Sequence, residues 1–136
     1  FTNYEQLVKI AQEYLHEQGI YSTSMTGKLS SGRQADNLQE FRQGDAQVLL
    51  ATHGTGGEGL NLPEADRVIF LDLAWHPSGN RQAQGRIIRP GQVASEVEII
   101  VIHTPDSVED HVAEIVRSKR KVTIEELMAR IKGEII

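Results

Sequence analysis

The 136 residues suit one domain, and a mix of 39% hydrophobic and 24% charged residues is that of an ordinary globular chain. No apolar run approaches the roughly 18 residues of a membrane-spanning helix. The absence of cysteine excludes disulfides, thiolate metal sites and thiol nucleophiles, and it favours an intracellular location. A net charge of −5, from 14 basic and 19 acidic residues, argues against uniform attraction to nucleic acid but leaves room for a local basic face.

Tyr4, Leu7, Val8, Ala11, Tyr14 and Leu15 recur at helical spacing, which predicts an amphipathic helix ending before Gly19. Ile20–Met25 reads as a short strand. Ser30 or Ser31 can cap a second helix, with Leu38 and Phe41 facing inward and Gly44 as its stop. Val48–Ala51 is a continuous apolar run of the kind a buried parallel strand requires. A glycine-dense loop from His53 to Gly59 follows, and Arg67–Leu73 is the next strand. Ser78 can cap a helix that runs through Arg89 and stops at Pro90-Gly91. Val97–Ile102 is a further strand, and a helix carrying Val108, Val112, Ile115 and Val116 follows it. Thr123-Ile-Glu-Glu126 has capping-box spacing ahead of Leu127, Met128 and Ile131. Helices alternating with short apolar strands predict an α/β fold with a mainly parallel sheet and helices on both faces. The expected organisation is one domain over residues 1–120 and a helical extension over 121–136. Phe1-Thr2-Asn3 leads into a helix without the strand that a βα unit needs. The expectation is a chain cut within or just after its first strand, the alternative being an N-terminus that begins with a helix.

Two stretches stand out by charge. Residues 81–92 hold Arg81, Arg86 and Arg89, and residues 117–121 hold Arg117, Lys119, Arg120 and Lys121, with no acid in either. The second reads as a solvated helix face. In the first, Gln82, Arg86 and Arg89 fall at i, i+4 and i+7 and form one helical stripe. Guanidinium forks on one stripe are suited to gripping a polyphosphate, whereas as surface ion pairs they would contribute little.

Gly54-Thr-Gly-Gly-Glu-Gly59 matches the G-x-G-x-x-G dinucleotide fingerprint, but Pro63 and the strand at Arg67 leave no room for the crossover helix that fingerprint opens. Nothing in the chain matches a P-loop. The remaining readings are a tight structural turn, or a loop whose backbone N–H groups approach phosphate at the carboxyl end of a buried strand. The five histidines show no ligand-like pairing, so no metal site is expected.

Ala51-Thr-His-Gly-Thr-Gly-Gly-Glu-Gly-Leu-Asn-Leu62, Arg67-Val-Ile-Phe-Leu-Asp72 and Gln82-Ala-Gln-Gly-Arg-Ile-Ile-Arg-Pro-Gly-Gln92 together resemble helicase motifs V, Va and VI, in that order. The set resembles the C-terminal RecA-like lobe of superfamily 2 helicases, closest to the Swi/Snf family of DNA translocases. The similarity covers about residues 1–120. It implies a RecA-like, P-loop NTPase-type three-layer α/β/α fold. It implies Arg89 as arginine finger, Arg86 as its companion at the γ-phosphate and Gln82 as the coupling glutamine. It places Gly57, Gly59 and Asn61 towards ATP, and Thr52, His53 and Lys28 towards the nucleic-acid backbone. ATP with Mg2+ would be held mainly by an N-terminal RecA-like lobe of the same protein. The other partner would be double-stranded DNA, with no membrane. The isolated lobe would be inactive. Two further readings stand beside this one: a non-catalytic RecA-like module binding nucleic acid or protein, and a dinucleotide enzyme. Trp75-His76-Pro77 departs from the family's usual Trp-Asn-Pro.

Overall fold

The computed structural model describes residues 1–55, 60–72, 82, 83, 85 and 91–102, together with the backbone of 121–123. The chain divides into two compact units, Phe1–Glu58 and Gly59–Ile136.

In the first unit, helix α1 spans Glu5–Glu17 and leads into strand β1, Ser22–Met25; helix α2 spans Ser31–Gln43 and leads into strand β2, Val48–Ala51. Both helices stop where the sequence places their glycines. Gly19 has φ 74° and Gly44 has φ 86°, left-handed values that a residue with a Cβ adopts only with strain. In each case the next N–H reaches back into the last turn: Ile20 N–H donates to Leu15 O, and Asp45 N–H to Glu40 O. At the other end of α2, Ser30 accepts a hydrogen bond from Arg33 N–H at 3.3 Å.

The α1 stripe is only partly as the periodicity predicts. Val8 is buried and Leu7, Ala11 and Leu15 are half-buried, but Tyr4 and Tyr14 are 56% and 60% exposed. Leu38 and Phe41 are half-buried, and the buried residue of α2 is Asn37. Strands β1 and β2 are parallel, with Ser22 opposite Val48 and Met25 opposite Ala51. Thr2 continues this arrangement on the other side of β2 through a parallel bridge to Thr52. Its N–H donates to Ala51 O and its carbonyl accepts from His53 N–H.

Alternate carbonyls of β1 point to opposite edges, as in any parallel strand. Tyr21 O and Met25 O accept from the N–H groups of Gln47 and Thr52 on the β2 side. Ser22 O, Ser24 O and Thr26 O instead receive side-chain amides, from Gln12 at 3.1 Å, Asn37 at 2.8 Å and Gln34 at 3.0 Å. The amides of Gln12 and Asn37 thus satisfy β1 carbonyls turned away from β2, and that of Gln34 joins Leu29 N–H at Thr26 O.

In the second unit, strand β3 spans Arg67–Phe70, β4 spans Glu96–Val101 and β5 spans Lys121–Thr123, in the order β3-β4-β5. The β3–β4 pair is parallel, with Arg67 opposite Glu98, and β5 lies antiparallel to β4. Burial alternates along β3, so Val68 and Phe70 enter the core while Arg67 and Ile69 face out. Phe70 and Val97 have no exposed surface, and Leu60, Leu62, Ala65, Ala83 and Ile99 are also buried. Arg67 Nε meets Glu98 Oε2 across the register pair. The sequence predicts a helical extension over 121–136, but its first three residues, 121–123, form a strand because they pair along the edge of β4. The rest of the extension, and the helix placed over 106–116, lie outside the described residues.

Candidate functional site

The parallel register brings two loops that hold candidate residues to one end of the first unit. Met25 and Ala51 are partners, so the Thr26–Leu29 turn and the His53–Thr55 loop both leave the carboxyl ends of adjacent strands. That edge is where open α/β sheets bind ligands.

Thr52 is 7% exposed, and its Oγ1 shares a 2.5 Å hydrogen bond with Thr55 Oγ1. Its N–H donates to Met25 O. The Thr52 side chain is therefore spent on shaping the loop from within. His53 is half-buried and its ring stacks on Phe1, with centroids 5.9 Å apart and planes at 27°. Its N–H is used by Thr2 O. Thr2 in turn accepts from Tyr4 N–H through Oγ1 at 3.1 Å, which ties the entry of α1 to the same edge.

Lys28 lies on the neighbouring turn with its side chain 76% exposed. Its Nζ is 2.7 Å from Glu5 Oε2 in the first turn of α1. An exposed pair of this kind contributes about 0–1 kcal/mol, so an incoming anion can displace the carboxylate at little cost. The turn is closed by Leu29 N–H to Thr26 O and held by Gln34, whose Nε2 reaches both Thr26 O and Leu29 O.

The second unit carries the remaining described candidates. Asn61 is half-buried between the buried Leu60 and Leu62, just before the Leu62–Ala65 turn. Gln82 is exposed and helical. Gln92, the last residue of the third motif, makes a two-sided tie through its carboxamide. Nε2 donates to Ala65 O at 2.9 Å and Oε1 accepts from Ala94 N–H at 3.1 Å. Val93 N–H adds a bond to Pro63 O. The segment after Gly91 is thereby fastened to the turn that follows Asn61. Gly57, Gly59, Arg86 and Arg89 lie outside the described residues. The structure thus brings Lys28, Thr52 and His53 to one strand edge and places Asn61 and Gln82 in the other unit.

Three residues make bonds that no motif assigns to them: Gln34, Thr55 and Gln92. Each is a polar residue whose partner is a main-chain carbonyl or a neighbouring hydroxyl, and no spacing rule announces that. Among the described residues no three His, Cys, Asp or Glu side chains are grouped to hold a metal ion. The Tyr21 phenol is held above its ordinary value near 10, chiefly because its hydroxyl donates to Glu40 Oε2 at 2.8 Å and that carboxylate opposes a second negative charge.

Comparison with known proteins adds a family and a fold. Residues 1–91 match the model described as the helicase conserved C-terminal domain. The uncharacterized ATP-dependent helicase YqhH of Bacillus subtilis is 35% identical over 119 residues, 88% of this chain and 21% of that protein. The transcription regulatory protein SNF2 of Saccharomyces cerevisiae is 34% identical over 127 residues, 92% of this chain and 7% of that protein. The human helicase-like transcription factor is 32% identical over 125 residues, 90% of this chain and 12% of that protein. The chain thus spans about a fifth or less of the length of these relatives. Among solved structures, the C-terminal part of the Fun30 ATPase domain superposes with a TM-score of 0.75 at 23% identity, covering 99% of this chain and 47% of the other.

Proposed function

This chain belongs to the helicase conserved C-terminal domain family, and from that premise we propose that it is the second motor lobe of an ATP-dependent, Swi/Snf-like DNA translocase. The fold is RecA-like α/β, and the relatives are of the Swi/Snf helicase type. The observation that carries the proposal is the family match over residues 1–91. That span holds both the glycine loop after β2 and the Gln82–Arg86–Arg89 stripe.

The division of labour follows from which chemistry the residues offer. Arg89 and Arg86 can stabilise charge that develops on a γ-phosphate in transfer, since guanidinium is permanently charged and bidentate. Gln82, on the same stripe, couples that contact to the rest of the lobe. Gly57, Gly59 and Asn61 border the ATP from this side. The phosphate cradle, the base for water and the Mg2+ ligands belong to a partner N-terminal lobe. Bound Mg2+ supplies neutralisation of phosphate charge there, and no step in this lobe runs through it. Lys28, the backbone about Thr52 and the half-buried His53 face the nucleic-acid backbone, with double-stranded DNA as the track. ATP binding would close the two lobes, hydrolysis would release them, and each cycle would advance one lobe along the backbone. Alone, the chain would hydrolyse almost no ATP. The proposed location is intracellular.

The test is DNA-stimulated ATP hydrolysis by the two-lobed protein that carries this chain. Stimulation by duplex DNA is the expected result. ATPase activity indifferent to DNA, or absent in an intact two-lobed protein, would reject the motor reading in favour of a non-catalytic module.

A further inference from the structure

Lys28 sits in a four-residue turn, and such turns are often closed by a single backbone bond. A long side chain on a loosely held turn must be ordered before it can make a directed contact, and that ordering costs conformational entropy. Here the turn has a second clamp. The Gln34 amide, from the first turn of α2, reaches Thr26 O at 3.0 Å and Leu29 O at 3.1 Å. One NH2 group carries two hydrogens, so it can serve both carbonyls at once. These carbonyls are the two ends of the turn, and Lys28 lies between them. Gln12 and Asn37 do something simpler, since each meets a single carbonyl of β1, Ser22 O and Ser24 O.

We infer that Gln34 is a positioning residue for the Lys28 contact with nucleic-acid phosphate. It fixes the turn to α2, a helix capped at Ser30 and closed at Gly44, so that Nζ is presented from a rigid base. The inference rests on the reading of Lys28 as a phosphate contact. On the other side of Nζ, Glu5 Oε2 lies 2.7 Å from the ammonium. Gln34 and Glu5 thus set the two halves of the geometry, one fixing where the lysine starts and the other where its charge rests.

The experiment measures affinity of the whole two-lobed protein for a 30-base-pair DNA duplex over a salt series. The proteins are the wild type, Lys28→Gln, Gln34→Ala and the double variant, with folding checked by circular dichroism. Gln34→Met, which keeps the side-chain length without the donors, replaces Gln34→Ala if the alanine variant fails to fold. Loss of one phosphate contact lowers the magnitude of the log–log salt slope by about 0.9. Lys28→Gln is expected to show that decrease, and Gln34→Ala a smaller decrease with a few-fold weaker binding at fixed salt. Adding Gln34→Ala to Lys28→Gln is expected to change neither slope nor affinity further. If Lys28→Gln matches the wild type in slope and affinity, the phosphate reading of Lys28 itself fails. If Lys28→Gln weakens binding but Gln34→Ala leaves slope and affinity at wild-type values, the positioning role alone is overturned. An undiminished Gln34→Ala effect in the Lys28→Gln background overturns it equally, because the glutamine then acts elsewhere.

Discussion

Removing the Asn37 side chain tests how the first unit is held together. Asn37 is 8% exposed, and its Nδ2 donates to Ser24 O at 2.8 Å on the outer edge of β1. Asn37→Ala deprives that half-buried carbonyl of its donor, a loss of about 1–3 kcal/mol. Alanine is the better helix former by roughly 0.6 kcal/mol, which offsets part of this. The expected net loss is about 1–2 kcal/mol, or roughly 3–10 °C in Tm for a chain of this length. The bond that Asn37 O accepts from Thr23 Oγ1 is a backbone contact and survives the change. Asn37→Asp sharpens the test by its sign. An ionised carboxylate cannot donate to Ser24 O, and burial raises its pKa above the unfolded value near 3.9. Its deficit is therefore full at neutral pH and shrinks as pH falls through the raised value, where the protonated acid can donate again. Urea unfolding at pH 7 and pH 4 measures both effects, with exposed Asp36→Asn as a control expected to stay within about 0.5 kcal/mol. An Asn37→Ala protein within about 0.5 kcal/mol of wild type would refute the reasoning, as would an Asn37→Asp deficit that does not depend on pH.

Other consequences are equally accessible. The Tyr21 phenol has a raised pKa, so its hydrogen bond to Glu40 contributes stability below the ordinary phenol range that is lost as pH rises through the folded value. Unfolding of wild type and Tyr21→Phe at pH 8 and pH 11 should show a wild-type advantage that is smaller at the higher pH. Glu5→Gln frees Lys28 and should tighten duplex binding by up to about fivefold, the equivalent of one exposed ion pair; weaker binding in a titration would count against Lys28 as a phosphate contact. Gln92→Ala unfastens the segment after Gly91 from Ala65 and Ala94, and should lower kcat more than it raises the KM for ATP. Steady-state kinetics of the two-lobed protein checks this, and a pure KM effect would refute the expectation.

Local chemistry carried much of the fold. The stops at Gly19 and Gly44, the Ser30 cap and the apolar strand Val48–Ala51 are each specified by a few neighbouring residues, and all stand where local rules put them. What escaped depends on partners distant in sequence. Asn37 and Gln34 look like the solvent face of a polar helix, and only the carbonyls of Ser24 and Thr26, 13 and 8 residues away, give them partners. Tyr4 and Tyr14 fit the apolar periodicity of α1 but stay exposed, Tyr4 as the extended N-cap ahead of the first turn and Tyr14 at the margin of the stripe. Strand β5 was hidden for the same reason, since three residues become a strand only when β4 is beside them. At the candidate site, the family resemblance points to Lys28, Thr52 and His53, and the parallel register of β1 and β2 explains why they share an edge. The Lys28–Glu5 pair has no signature in the sequence, because its members are 23 residues apart.

The central claim is that this lobe completes an ATPase site by supplying arginines. The most direct measurement is the DNA-stimulated kcat of the two-lobed protein with Arg89 changed to Ala, alongside ATP affinity. The expected result is a loss of about 10³–10⁵-fold in kcat, the range for an arginine acting on a phosphoryl-transfer transition state. ATP affinity should fall far less. Wild-type turnover in the Arg89→Ala protein would contradict the account.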